Sequence, residues 1–245
     1  MNAARNKTGV PPMAARAGRR ERQRAQTRQK LYEAAMRLFA ERGFFDTTTE
    51  DITEAADVGQ GTFFNYFPSK QHVLAALGEV QVQKIIAARH EAEGGRTAIR
   101  ELLRRLVHNI AKEPGRSEAL TRSLFSALLS SDAVRGMFGA GLARGRGELA
   151  AIMALGQERG EVNKRCPTAE HALAFQRCVL GTLFLWAVHE RGGLNACLKA
   201  AFADFWAATS APLQHAKDGR PPQRAKIGLA GDPGRAGDPR EGRRR

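Results

Sequence analysis

Residues 47–70 read TTTEDITEAADVGQGTFFNYFPSK, and this stretch decides the fold of the first third of the chain. Its threonines, followed by Glu50 and Asp51, indicate a helix start, because hydroxyls cap free N–H groups and acids favour the positive end of the helix dipole. DVGQG at 57–61 interrupts that helix. A second short helix is predicted from Thr62 to Phe67, and Pro68 ends it because the residue before a proline disfavours the α conformation.

Two short helices joined by a tight break predict a helix-turn-helix. On a helical wheel, Phe63 and Phe67 lie within about 40° of each other. We therefore expect both rings to face the core, together with Phe39, Ile52 and Val58.

Thr62, Asn65 and Tyr66 occupy a separate arc of about 100° on the same wheel, and Phe64 lies on the flank between. A helix that reads DNA needs this division, since one face packs while the other reaches phosphates and base edges. An ordinary solvated helix face is the alternative interpretation. The glycines would let the backbone approach phosphates, and a lysine at the next helix start would pair with one, which we expect of Gly59, Gly61 and Lys70.

The positive charge of the chain is concentrated at its two ends. The formal net charge is +14, of which residues 1–30 carry +8 and residues 212–245 carry +5. Basic ends on a neutral body favour contact with a polyanion, nucleic acid before membrane. For the C-terminal tail, a solvated segment without a partner is the alternative.

The remaining chain is predicted to be helical. A long helix is expected from Lys70 to about Ala92, and no alternating β-type run is present. The apolar run CVLGTLFLWAV (178–188) is too short to span a bilayer, so we expect a buried helix and no membrane partner. Breaks in the pattern delimit further helices near 96–112, 117–129, 132–158, 168–190 and 194–209, with a possible kink in the glycine-rich segment 136–147.

No motif for catalysis or metal binding is present. The chain lacks GxSxG, HExxH, P-loop and Rossmann glycine patterns, so we predict that it is not an enzyme and needs no cofactor. Its three cysteines are widely spaced and no secretion signal is visible, which favours reduced thiols in a cytoplasmic protein. A helical scaffold for protein partners is the other non-enzymatic alternative.

Residues 27–77 resemble the DNA-binding domain of the TetR/AcrR family of bacterial transcriptional regulators, through LFAERGF (38–44) and the stretch 47–70 that follows it. The resemblance implies a homodimeric repressor that binds a palindromic operator in double-stranded DNA and is released by a small-molecule effector. A regulator that needs no ligand stays open as an alternative. The DNA contacts that the resemblance implies are Thr48, Thr49, Gly59, Gln60, Thr62, Phe64, Asn65, Tyr66 and Lys70.

Three positions depart from the pattern of that family. Phe64 stands where a tyrosine is common, so its contact with DNA would be apolar. Asp57 stands where the turn often has glycine, and Asp tolerates left-handed geometry better than most residues. Thr53 stands where a small alanine is common, which affects the expected spacing of the two helices.

The resemblance divides the chain into a disordered basic arm (1–26), a helix-turn-helix domain (27–75), a ligand-binding and dimerisation domain (76–211) and a disordered basic tail (212–245). The helices at 168–190 and 194–209 would form the dimer interface. Residues expected to be shared between core and interface are Leu173, Cys178, Leu180, Leu185, Trp186, Leu198, Phe202 and Phe205. Candidates for the ligand pocket are His108, Phe125, Met137, Phe138, Met153, Phe175 and Trp186, with His171 as an alternative polar group.

Overall fold

A computed structural model describes residues 13–189 and 192–210, and all regular structure in those ranges is helical. The all-α prediction is confirmed. The predicted tail and residues 1–12 of the predicted arm lie outside the described residues. The helices are α1 (Met13–Glu41), α2 (Thr49–Ala55), a 3₁₀ helix (Gln60–Asn65, the Gln60 helix), α3 (Lys70–Glu93), α4 (Ile99–Ala111), a second 3₁₀ helix (Pro114–Arg116), α5 (Glu118–Ser130), α6 (Asp132–Glu158), α7 (Thr168–Val188) and α8 (Leu194–Ser210).

Helix α1 begins at Met13, whereas the sequence predicted disorder up to residue 26 and a helix only from Thr27. Residues 13–26 have no apolar face, so periodicity gave no helix signal there. They consist largely of Ala, Arg, Gln and Glu, which have high intrinsic helix propensity. Once the packed part of α1 has formed, each added residue gains a backbone hydrogen bond, and the helix extends beyond the core.

A first hydrophobic core joins α1, α2, the Gln60 helix and the start of α3, and buried residues of α5 and α6 also pack in it. Phe39, Ile52 and Phe63 are completely or almost completely buried in it, and Phe67 is 2% exposed. Burying one such side chain contributes about 1.5–3 kcal/mol. The predicted inward direction of Phe63 and Phe67 is therefore correct.

Helix α3 belongs to two cores. Val73, Leu74 and Leu77 pack in the first core, while Ile85 and Ala92 pack in a second core built by α4, α6, α7 and α8. The helix is therefore a continuous connection between the helix-turn-helix and the body.

Helix α6 packs closely along α3 and runs without a break through the glycine-rich segment, where the sequence allowed a kink. A Cβ atom at Gly145 would lie 3.0 Å from Ile85 Cδ1, so this glycine permits the close approach of the two helices.

Helix α7 is long and apolar enough to cross a membrane by length and composition, and it is the one such helix among the described residues. Within its most apolar window, 44% of the helix is buried inside the protein. Its buried side chains, among them Phe175 and Leu183, pack in the second core, as expected for the central helix of a helical body.

Candidate DNA-binding surface and ligand cavity

The loop after α1 is held by the side chain of Lys70. Gly43 ends α1 with a φ of 91°, a left-handed conformation that glycine adopts without strain. The Lys70 ammonium donates to the carbonyl oxygens of Phe44 and Thr47 at 2.7 Å each and of Phe45 at 3.2 Å. It also lies 4.6 Å from the centroid of the Phe44 ring.

These bonds give Lys70 a structural role that the sequence did not predict. Its three N–H donors are engaged inside the domain, where the side chain holds the loop 44–47. The phosphate contact of Lys70 stays a prediction. Burial lowers the pKa of Lys70, an effect that Asp46 partly offsets. The sequence alone predicted only that a positively charged side chain at the start of α3 lies near DNA.

Three consecutive threonines have three different functions. Thr47 is buried, and its hydroxyl donates to the Gly43 carbonyl oxygen at 2.7 Å. Thr48 caps α2, because its hydroxyl accepts from the Asp51 N–H at 3.0 Å while its own N–H donates to the Asp51 carboxylate at 2.8 Å. The Thr48 N–H lowers the pKa of the Asp51 carboxyl, and so does the Thr48 hydroxyl, which also donates to that carboxylate at 2.8 Å. Thr49 begins the helix, and its hydroxyl donates to the Glu50 carboxylate at 3.1 Å.

The turn between α2 and the Gln60 helix uses a left-handed aspartate. Asp57 has a φ of 53°, the conformation that glycine often supplies at such a turn. Thr53, the other departure from the family pattern, is buried, and its hydroxyl donates to the Glu50 carbonyl oxygen at 2.9 Å. Its polar group is therefore satisfied within α2.

The second short helix is a 3₁₀ helix at 60–65, where the sequence predicted an α-helix at 62–67. Residues three apart eclipse in a 3₁₀ helix, so Tyr66, just past its end, follows Phe63 towards the core. Tyr66 is half-buried against the first core, which corrects its predicted outward direction. Phe64 is 59% exposed. The outer surface of the Gln60 helix consists of exposed residues, with half-buried Thr62 beside them: Gly59, Gln60, Gly61, Phe64 and Asn65.

The body contains an apolar cavity of about 390 Å³ between α3, α5, α6 and α7. Phe125, Met137, Phe138 and Phe175, four of the predicted candidates for the ligand pocket, line this cavity. The polar groups in its wall are satisfied within the protein. The Gln176 amide donates to the Leu142 carbonyl oxygen at 2.8 Å, and the Thr121 hydroxyl donates to that of Pro114 at 2.7 Å.

Four other predicted candidates lie outside the cavity wall. The His108 ring lies 3.3 Å from the Asn195 side-chain oxygen, between α4 and α8. Met153 is buried in the second core, and Trp186 Nε1 donates to the Gly192 carbonyl oxygen at 3.2 Å. His171 is buried and lies 3.0 Å from the Asn163 carbonyl oxygen. Packing or hydrogen bonding within the protein accounts for all four.

Sequence reasoning missed the α3 side of the cavity, where Leu74, Gly78 and Val82 contribute. Their spacing of four residues marks one helix face, but a face that borders a cavity has the same pattern as one packed in a core. Gly141, which also lines the cavity, was visible only as part of a glycine-rich segment.

The described residues thus combine a helix-turn-helix that has an exposed outer face with an all-helical body that contains a cavity, and α3 runs from one to the other. Residues 31–77 match the model of the family described as bacterial regulatory proteins, tetR family. Residues 31–77 therefore form a helix-turn-helix domain of the kind that this family model describes.

Among curated relatives, the uncharacterized HTH-type transcriptional regulator YuxN of Bacillus subtilis is 31% identical over 84 residues, or 33% of this chain and 29% of that protein. The chain matches the first curated relatives over only 24% to 29% of their length. A putative TetR-family regulator from Syntrophomonas wolfei shares the fold, with a TM-score of 0.65 at 21% identity over 77% of this chain and 97% of that one.

FadR of Thermus thermophilus, a TetR-family repressor solved in complex with lauroyl-CoA, is 27% identical with a TM-score of 0.52. The match covers 73% of this chain and 92% of that one.

We predict that Lys70→Met destabilises the helix-turn-helix, because three loop carbonyls lose a charged donor. Removing hydrogen bonds to a charged group costs about 1.5–3 kcal/mol, measured here as the free energy of unfolding in urea. Lys30→Met, at an exposed lysine of α1, is the control for the loss of one positive charge. Unchanged stability with weakened DNA binding in Lys70→Met would instead support the phosphate contact that the sequence suggested.

Proposed function

We propose that the protein is a repressor that binds a palindromic operator in double-stranded DNA as a homodimer and leaves it when a small apolar ligand fills the cavity. The observation that carries this proposal is the continuity of α3, which packs under the Gln60 helix at one end and lines the cavity further along. We also propose that the protein acts in the cytoplasm. The boundary between its two domains is proposed to lie between residues 75 and 76.

The Gln60 helix is the part that enters the major groove in this proposal, while the start of α2 with Thr49 lies along the phosphate backbone. Gln60 and Asn65 offer amides that can pair with base edges, and exposed Phe64 can contact a thymine methyl group. A Cβ atom at Gly61 would have no neighbour within 4 Å, so the fold leaves room for the DNA backbone there.

The homodimer is proposed to form through α7 and α8. Phe184, Leu185 and Val188 recur on the outer face of α7 and are 41–54% exposed. Gly181 lies on the same face, and a Cβ atom there would meet nothing within 4 Å. Of the residues expected to be shared with the core, Trp186, Leu198, Phe202 and Phe205 are buried within the protomer. Leu173, Cys178 and Leu180 are half-buried, and Leu185 is the exposed member of the set.

The ligand is proposed to be apolar, because the cavity wall is almost entirely apolar and its amide and hydroxyl donors are already engaged. An acyl chain fits this chemistry, and FadR of Thermus thermophilus was solved with lauroyl-CoA. Successive major grooves require the Gln60 helices of the two protomers to lie roughly 34 Å apart. A ligand that pushes α3 away from α6 would favour a different distance between them. It would thereby shift the population away from DNA.

Two alternatives remain distinguishable by experiment. A regulator that needs no ligand would bind the operator equally with and without any apolar compound. A helical scaffold for protein partners would show no sequence preference on DNA, so a compact palindromic footprint on the promoter of its own gene would exclude it.

We expect Asn65→Ala to weaken binding to the footprinted operator about 5- to 150-fold, because one good amide–base pair is worth about 1–3 kcal/mol. Fluorescence anisotropy measures the affinity. Asn109→Ala, at an exposed asparagine of α4, is the matched control and should bind as wild type does. Full affinity in Asn65→Ala would remove this side chain from the interface. Thr62→Ala should act in the same direction, whereas Tyr66→Ala would also disturb the core.

We expect Gly141→Leu to abolish ligand binding while operator binding is retained. A Cβ atom at Gly141 meets nothing within 4 Å, so the leucine extends into the cavity without a clash. Gly139→Leu, at an exposed position of the same helix that also has open space, is the matched control.

Binding of an apolar fluorescent dye and displacement of that dye by lauroyl-CoA provide the measurement for this pair. At least tenfold weaker dye binding is expected in Gly141→Leu alone. Equal binding in both variants would show that the cavity is not the binding site.

We expect Leu185→Glu to be monomeric by light scattering, because it would place two uncompensated charges in a symmetric apolar interface. Leu129→Glu is the matched control, since Leu129 is also an exposed leucine, 68% accessible, on α5. A dimeric Leu185→Glu variant would exclude the α7–α8 interface.

A further inference from the structure

The helix-turn-helix lacks the positive charge that DNA binding needs. Residues 47–70 contain four acids, Glu50, Asp51, Glu54 and Asp57, and a single basic residue, Lys70, giving a net charge of −3. The Lys70 ammonium is engaged with three backbone carbonyls. Because neutralisation of phosphates supplies most non-specific DNA affinity, another part of the chain must supply cations.

The N-terminal half of α1 supplies them on a continuous helix. Arg20, Arg24 and Arg28 recur every four residues, so they form one stripe whose neighbours are about 40° apart. All three are exposed, and no ion pair of Arg20 or Arg24 is found within the described part of the chain.

The stripe starts near the end of the Gln60 helix. The Arg28 guanidinium lies 5.1 Å from the centroid of the Phe67 ring, and Phe67 is two residues after Asn65, the last residue of that helix. From there the helix carries Arg24 and Arg20 about 12 Å further along its axis, at 1.5 Å per residue. Double-stranded DNA presents about seven phosphate charges over that length.

The stripe is electrostatically unfavourable in the free protein. Like charges four residues apart repel each other on a helix surface. A polyanion along the stripe would relieve this repulsion.

We propose that Arg20 and Arg24 bind the phosphates of double-stranded DNA next to the site occupied by the Gln60 helix, with Arg28 at the junction. The helical arm thus extends the interface along the duplex and contributes affinity without base preference. This inference rests on the proposed DNA-binding function and assigns a binding surface outside the helix-turn-helix.

The test compares two double variants of the full chain that remove the same charge from different faces of one helix. Arg20→Gln with Arg24→Gln removes the stripe. Arg19→Gln with Arg22→Gln removes two exposed arginines that lie about 140° and 160° round the helix from its centre. Binding is measured by anisotropy over a series of KCl concentrations, on the footprinted operator and on a mixed-sequence duplex of equal length.

For the stripe variant we expect the slope of log K against log salt to fall by about two units on both duplexes, since each phosphate contact contributes about 0.9. The ratio of operator to mixed-sequence affinity should stay as in wild type, and the control variant should keep the wild-type slope. Equal slopes in both variants would overturn the inference, whether both fall or neither does.

Binding of the wild-type chain to the two duplexes shows whether the inference alone fails or the proposed function fails with it. If the wild-type chain bound neither duplex, the proposal of a DNA-binding regulator would fall, and the inference with it. If the wild type bound and footprinted the operator while the stripe variant kept its slope, only the inference would fall. Circular dichroism of both variants, which lose the same number of arginines, checks that α1 stays helical.

Discussion

The bonds from the Lys70 ammonium to three carbonyl oxygens fix the geometry of the helix-turn-helix. They join the first residue of α3 to the loop between α1 and α2, and this loop positions the cap of α2 at Thr48. Without a donor, the carbonyls of Phe44 and Thr47 would be left unpaired in partly buried surroundings, which costs free energy. The orientation of α2, and of the Gln60 helix that follows it, therefore depends on where α3 starts.

Helix α3 also connects the cavity with α1 through a group of polar side chains. Gln81, which lines the cavity, donates to the Glu113 carboxylate at 3.4 Å, and Lys84 forms an ion pair with the same carboxylate. Burial, followed by the charge of Glu113, raises the pKa of Tyr32 on α1 to about 12. The Tyr32 hydroxyl is buried without a hydrogen-bond partner among the described residues. An unsatisfied buried hydroxyl costs about 1–3 kcal/mol, so α1 meets the body at a contact that is not fully satisfied.

Local patterns predicted the features that depend on local physics. The Thr48 cap, the left-handed Asp57 and the burial of Phe63 and Phe67 follow from side-chain chemistry and spacing within a few residues. The position of Tyr66 does not, because it depends on whether six residues form an α-helix or a 3₁₀ helix, and tertiary packing decides that. The side-chain contacts of Lys70, His108 and Trp186 are equally invisible in sequence. Their partners are distant in the chain or, for Trp186, depend on how the chain turns after α7.

Polar groups that build the helix-turn-helix are not free to bind DNA at full strength. The Thr48 hydroxyl and the Asp51 carboxylate are committed to the cap of α2, and Lys70 is committed to the loop. Acids that stabilise the start of α2 through the helix dipole also repel phosphates. The helix-turn-helix can therefore be well folded and selective for base edges while remaining poor in electrostatic attraction. A chain with this arrangement needs cations on an element whose folding does not use them, and the exposed residues 19–26 of α1 form such an element.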